Sequence, residues 1–375
     1  MTPLEQQLEA LPQETKDELA AAGFDAGRLV RLAEPLRRGV AADNFVKGVI
    51  TPPQPGDVVT LPEPRSAEYS RLEALGRAAL ERGQCGLVVL AGGMATRMGG
   101  VVKALVDAIP GKSFLDLRLR EVEVLAERYG ARPPLWLMTS ASTDAKIRQA
   151  LGERLNGDNV ATFLQGLSLR LTPEGDLFIG ADGRPSEHAP GHGDLPEALE
   201  RSGLLERFVT RGGRVLMMTN VDNLGGTLDP VILGFHLAHG LPVTSEVVDK
   251  VGSDRGGIPV RLDGKPCVLE EFRIPPSFDP ASVRVFNTNV FHFDAKALLE
   301  LEMPWTFFTV TKKVEGTPVI QFERLVNEVT SVLPTQYLHL PRTGENARFL
   351  PVKDNEELLA RAAEIELVAR AKGWI

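Results

Sequence analysis

A short apolar run at residues 86–90 passes directly into a turn made of small residues, Leu90-Ala91-Gly92-Gly93-Met94-Ala95-Thr96-Arg97-Met98-Gly99-Gly100, and no other stretch constrains the fold as much. An uninterrupted run of that length reads as a strand covered on both faces, which means a parallel or mostly parallel sheet. In such sheets ligands sit beyond the carboxyl ends of the strands. Glycines at that point let backbone N–H groups approach a phosphate or a base, because no Cβ intervenes. Arg97 adds a side chain able to grip phosphate oxygens in a two-pronged contact. The stretch is not a P-loop, since Gly111-Lys112-Ser113 has Val106 where the earlier glycine belongs, and it lacks the dinucleotide spacing of three glycines.

The rest of the chain repeats the alternation. Residues 114–129 read as a helix and 135–139 as a strand. A helix then starts near Thr143-Asp144, a strand spans 214–219, and a helix follows Asp229-Pro230. Hairpins are expected at 168–179, turning at Glu174-Gly175-Asp176, and at 258–272, turning at Asp263-Gly264. This pattern predicts an α/β fold with a mostly parallel sheet and helices on both faces. Leu4, Leu8 and Leu11 fall on one face, and Leu29, Leu32 and Leu36 on another, so the N-terminus reads as helical. Five prolines in residues 51–64 indicate a strap or linker. The division expected is a helical N-terminal extension and linker (1–60), a catalytic domain (61–345) and a short C-terminal helical segment (346–375).

Composition narrows the partners. At 375 residues and net charge −8, the chain lacks the basic face that nucleic acid demands, and no apolar run reaches the ~18 residues of a membrane span. An acidic protein that handles phosphates must gather its cations locally. Two cysteines, Cys85 and Cys267, form neither a disulfide framework nor a zinc site, which fits a reducing cytoplasm.

Further candidates carry bland alternatives when read alone. His192, in Pro190-Gly191-His192-Gly193-Asp194, can be an ordinary turn histidine. Gln165 can be a polar strand end, and Glu270 a solvent-facing strand residue. Asp222, in Asn220-Val221-Asp222-Asn223, can cap the next helix, or it can hold Mg²⁺ at the end of a buried strand.

Taken in order, these motifs resemble those of the UDP-glucose pyrophosphorylase family of sugar-nucleotide pyrophosphorylases. The glycine-rich stretch resembles L-x-G-G-x-G-T-x-x-G followed by a phosphate-binding lysine, here Lys103, with Ala95 and Val102 replacing the family's glycine and proline. P-G-H-G-D, N-V-D-N, Phe286-Asn287-Thr288-Asn289, Thr311-Lys312-Lys313-Val314 and Arg348-Phe349-Leu350-Pro351-Val352-Lys353 follow in register. The resemblance implies a Rossmann-like, GT-A-like nucleotidyltransferase fold and the reaction of UTP with glucose 1-phosphate to give UDP-glucose and pyrophosphate. It implies catalytic roles for Lys103, Lys312 and Arg97, and Mg²⁺ on Asp222. Nucleotide contacts are implied for Leu90, Ala91, Gly92, Gly93, Gln165, Gly191, His192 and Asn220, and sugar contacts for Asn223, Glu270, Asn287 and Asn289. Asn287 and Asn289, two apart on a strand, are expected to point the same way. Longer members add a C-terminal β-helix that mediates oligomerisation; this chain stops soon after Lys353, which implies a monomer or small homo-oligomer. Three alternatives stand beside this reading: a UDP-N-acetylhexosamine or broad UDP-sugar pyrophosphorylase, a glycosyltransferase, and a non-catalytic UDP-sugar binder. The glycosyltransferase is disfavoured because the D-x-D position reads Asn220-Val221-Asp222.

Overall fold

The structure, a computed structural model, describes residues 1–40, 43–157, 159–252 and 254–375. Among the described residues, eight strands build the central sheet: β1 (Val58–Thr60), β2 (Cys85–Leu90), β3 (Leu135–Thr139), β4 (Val160–Leu164), β5 (Val215–Asn220), β6 (Val243–Asp249), β7 (Val285–Asp294) and β8 (Thr335–His339). Their spatial order is β1-β8-β6-β7-β5-β2-β3-β4, and only β7 runs antiparallel to its neighbours. Alternation along β2 explains its unbroken apolar run. Leu87 and Val89 enter one core, whereas Val88 and Leu90 enter the other. The same division holds on β5, with Val215 and Met217 on one side and Leu216 and Met218 on the other. A sheet buried on both faces has no polar side to declare.

Local chemistry sets the helix ends. Ser113 and Asp116 form a capping box at the start of the helix Phe114–Tyr129, and Gly130, left-handed at φ 78°, ends it. Asp229 accepts from the N–H groups of Val231 and Ile232 to begin Pro230–His239. Thr143 stands at the N-cap position of Asp144–Leu151, but its side chain makes no capping hydrogen bond. Its hydroxyl accepts from the Ser140 N–H instead, so it closes the turn after β3.

Both expected hairpin turns are present, although Ser168–Leu169 pairs with Glu187–His188 rather than within residues 168–179. Gly257–Leu262 pairs with Lys265–Glu270 around Asp263 and Gly264, both at positive φ. In the other, Leu171 bridges Leu177 around a turn closed by the Gly175 N–H on the Thr172 carbonyl. The three N-terminal helices, Pro3–Glu9, Gln13–Ala21 and Ala26–Arg37, pack through Leu4, Leu8, Leu19 and Leu29 on Leu169, Leu171 and Leu177, and on Ile320 and Phe322 of the hairpin Phe308–Val314/Thr317–Glu323. The proline-rich strap contributes an edge strand, β1, and Asp57 holds Arg261 through two bonds of 2.7 Å. No described helix is long and apolar enough to cross a membrane.

Candidate active site

Because β2, β3, β4 and β5 are parallel and closely registered, their carboxyl ends share one rim. The glycine-rich turn leaves β2 there as a small hairpin, Met94–Ala95 against Val101–Val102, closed by Gly99 and Gly100 at φ 85° and 72°. Ala91 donates to the Met138 carbonyl and Ser140 Oγ donates to the Gly92 carbonyl, which fixes the turn to the end of β3. Gln165 follows β4, with its N–H on the Thr139 carbonyl. A Cβ at Gly92 would lie 2.7 Å from Gln165 Nε2, so only glycine lets the amide lie against the loop. Gly93 and Arg97 are exposed.

The other half of the site comes from β5. Lys103 Nζ lies 2.8 Å from Asp222 Oδ2, an ion pair whose side chains are 21% and 10% exposed, and this contact joins the glycine-rich turn to the end of β5. Asp222 does not cap the next helix, which Asp229 begins. The same Oδ2 accepts from the Val352 N–H at 3.0 Å, so the C-terminal segment is docked here and the exposed Lys353 stands next in the chain. Asn220 Oδ1 accepts from Asn289 Nδ2 at 3.0 Å, bringing an expected nucleotide contact and an expected sugar contact together.

Two of the expected sugar residues are placed otherwise. Asn223 is fully buried: its Nδ2 donates to the Arg348 carbonyl and its Oδ1 accepts from the Leu350 N–H, so its amide serves the backbone rather than the cleft. Asn287 and Asn289 do not simply share a face. Asn289 is left-handed at φ 60°, where β7 bulges opposite β6, and Asn287 is buried with its Oδ1 on the Asn289 N–H and Ser245 Oγ. An asparagine tolerates that conformation, and a bulge removes the period of two. Asn289 is the half-buried member and Asn287 supports it.

Glu270 ends its hairpin strand half-buried. Burial, with the Glu328 and Glu271 carboxylates behind it, pushes its carboxyl up to about 7. Glu328 is itself paired with Arg273 at 2.6 Å. Gly191 and Gly193 press their α-carbons onto the backbone of Arg324, where a Cβ would fall within 2.6 Å of it. His192 Nδ1 accepts from the Val326 N–H at 3.1 Å, and burial lowers the imidazole to about 4. It is therefore neutral at pH 7, with its proton on Nε2. Lys312 is exposed on the hairpin Phe308–Val314/Thr317–Glu323, and among the described residues it pairs with no carboxylate. It shares a hairpin face with Phe308, which packs edge-on at 5.2 Å against Phe272, two residues beyond Glu270. Cavities of about 520 and 410 Å³ lie elsewhere, the first beside Arg184 and Glu315, the second beside Tyr69 and His339.

Arg118 belongs to the site's support although no motif points to it. Fully buried, it donates to the carbonyls of Asn220, Asn223 and Gly226 and pairs with Glu121 at 2.8 Å, and Glu121 accepts the Leu228 N–H at 3.0 Å. Its signal in the sequence is a cation on the stripe that also carries Leu115, Val122 and Leu125.

The chain is similar to proteins of known name and to solved structures. It is 30% identical over 325 residues to a probable UTP–glucose-1-phosphate uridylyltransferase of Schizosaccharomyces pombe, covering 81% of this chain and 63% of that protein. It is 31% identical over 293 residues to the UTP–glucose-1-phosphate uridylyltransferase of Hordeum vulgare, covering 73% and 61%. The chain thus spans less than two thirds of the length of either relative. Its fold matches a UDP-glucose phosphorylase of Trypanosoma brucei with TM-score 0.74 at 23% identity over 92% of this chain and 77% of that one. A UDP-N-acetylglucosamine pyrophosphorylase of the same organism matches with TM-score 0.71 at 21% identity, over 97% and 84%. With a family model matching it from residue 54 to residue 370, the chain belongs to the UTP–glucose-1-phosphate uridylyltransferase family.

Proposed function

We propose that this chain transfers the uridylyl group of UTP to glucose 1-phosphate, giving UDP-glucose and pyrophosphate. The observation that carries the reading is the Lys103–Asp222 contact at the rim of the sheet, in a chain whose family bears the name of this reaction. A phosphate oxygen of glucose 1-phosphate attacks the α-phosphorus of UTP in line; the new P–O bond forms as the α–β bridge breaks and pyrophosphate leaves. The nucleophile is already ionised at neutral pH, so no general base is required. The barrier is then largely one of like-charge approach and alignment. Lys103 can keep one N–H on Asp222 and offer its other two to phosphate oxygens. Arg97, exposed in the same turn, offers a guanidinium fork to the outgoing phosphates. Neutral His192 and the Gln165 amide suit the uracil edge, which needs donors and acceptors without charge. Asn289 and Glu270 suit the sugar hydroxyls, and Lys312 serves as a further cation approaching from its hairpin.

The donor set fits Mg²⁺. Asp222 Oδ2 is engaged by Lys103 and Val352, whereas Oδ1 accepts no hydrogen bond among the described residues. One free carboxylate oxygen is enough for an ion that keeps waters and takes the rest from phosphates. When bound, Mg²⁺ would neutralise phosphate charge beside Lys103. The buried free thiols Cys85 and Cys267, both pushed up to about 12 by burial, go with a cytoplasmic enzyme, here a monomer or small homo-oligomer. The test is pyrophosphate release across a matrix of sugar 1-phosphates and nucleoside triphosphates. UTP with glucose 1-phosphate should give the highest kcat/KM, and no release from UTP with any sugar phosphate would overturn the reading.

A further inference from the structure

A buried relay of charges runs behind the turns that carry Gln165 and His192, and neither residue belongs to it. At its centre is Arg324, whose side chain is 1% exposed. Its guanidinium donates to Asp194 Oδ1, to Glu197 Oε1, and to Glu197 Oε2 at 2.6 Å. Asp194, 2% exposed, turns its second oxygen to the Gly166 N–H at 2.5 Å and to Arg201 at 3.0 Å. Gly166 directly follows Gln165. The backbone of Arg324 is zipped to the glycine turn: its N–H donates to the Pro190 carbonyl at 2.8 Å and its carbonyl accepts from Gly193 at 3.0 Å. Two residues on, the Val326 N–H donates to His192. The relay continues outward through Glu197 to Arg28 of the N-terminal helices at 3.6 Å. Trp305 and Phe307 flank the guanidinium at 5.0 and 5.4 Å.

We infer that Arg324 and Asp194 are positioning residues for recognition of the nucleotide base: together they hold the Gln165–Gly166 peptide and the His192 turn at one spacing. The inference rests on the uridylyl-transfer reading. Three features support it over plain stabilisation. The two carboxylates converge on one buried guanidinium even though Glu197 also reaches Arg28 near the surface. The acceptor chosen for the Gly166 N–H is a buried carboxylate, a stiff and charge-assisted tether. Both segments so tethered lead to half-buried side chains with polar atoms suited to a base. A lysine at position 324 would keep the charge but could not fork between Asp194 and Glu197.

The experiment compares the full chain with Arg324→Lys and Glu197→Gln, using calorimetric titration with UTP, ATP and inorganic tripolyphosphate, and the thermal midpoint as a control. Tripolyphosphate carries the phosphate contacts without a base. For Arg324→Lys, Kd for UTP should rise about tenfold, as for a lost charge-assisted bond, while Kd for tripolyphosphate stays unchanged. Glu197→Gln, at a partly exposed carboxylate, should fold and move UTP in the same direction by about threefold, and it decides the matter if Arg324→Lys does not fold. Equal losses for UTP and tripolyphosphate, or a lowered midpoint with UTP affinity intact, would overturn the inference. A wild-type chain that binds ATP as tightly as UTP would instead overturn the uridylyl reading itself.

Discussion

In the proposed reaction, Lys103 is the side chain on which most depends. It joins the glycine-rich turn to Asp222, and at 21% exposure it can be truncated without opening the core. Lys103→Ala is expected to lower turnover by about 10²–10³, the usual effect of removing one preorganised donor, with an unchanged circular dichroism spectrum. Initial rates of pyrophosphate release test it. Glu270 behaves differently because its carboxyl is raised from 4.5 to about 7 by burial, by Glu328 and by Glu271. A raised carboxyl favours the folded state when protonated. Its contribution is therefore fully present below about 4.5 and is lost as pH rises through about 7. The thermal midpoint of Glu270→Gln should accordingly gain on the wild type between pH 5 and pH 8. If Glu270 accepts from sugar hydroxyls, KM for glucose 1-phosphate should fall over the same range in the wild type and stay level in the variant.

At the scale of elements, the loop that presents Asp222 is held by what surrounds it. Arg118 and Glu121 grip it from one helix, and residues 348–352 grip it from the C-terminal side, where Arg348 is anchored on buried Glu246 and Thr227. The helix Pro230–His239, which starts just beyond the loop, crosses Ala67–Glu81 with backbone against backbone. A Cβ at Gly234 would lie 1.8 Å from the Leu72 carbonyl oxygen, and one at Gly76 would lie 1.8 Å from that of Pro230. Neither position has a flexible side chain that can yield. Gly234→Ala should therefore cost about 3 kcal/mol or more, at or beyond the upper range of overpacking, and should lower activity by displacing the loop. Urea denaturation and soluble yield measure the first effect, and kcat measures the second. The elements themselves were legible where capping and periodicity agree, as in Phe114–Tyr129 and Leu135–Thr139, both of which match the expected bounds. Strands β6 and β8 were not singled out, and β1 hides in a proline-rich strap, since short strands carry little local signal and are defined by their neighbours.

For the whole molecule, the arrangement of charge matters more than its sum. A chain with net charge −8 assembles Lys103 and Arg97 at one rim of the sheet, and spends Arg118, Arg324 and Arg348 inside as braces. The N-terminal helices belong to this framework. They cover Leu169, Leu171, Leu177, Ile320 and Phe322, and reach the buried relay through Arg28. Deleting residues 1–38 should uncover that apolar face, raise dye binding by exposed hydrophobic surface, and lower the thermal midpoint. A truncated chain with an unchanged midpoint and no dye binding would mark those helices as a dispensable appendage.

The residues alone determined the α/β class, the buried β2 and the turn that follows it. Those features depend on neighbours in sequence, where a missing Cβ, a cap or an apolar run acts within a few residues. Tertiary structure decided which polar side chains reach the rim of the sheet. Asn223 and Asn289 look alike in the sequence, yet one is consumed by the backbone of residues 348–350 and the other, at a bulge in β7, meets Asn220. The braces Arg118 and Arg324 were equally hidden, because a buried cation is recognised only by the carboxylates and carbonyls that distant segments bring to it.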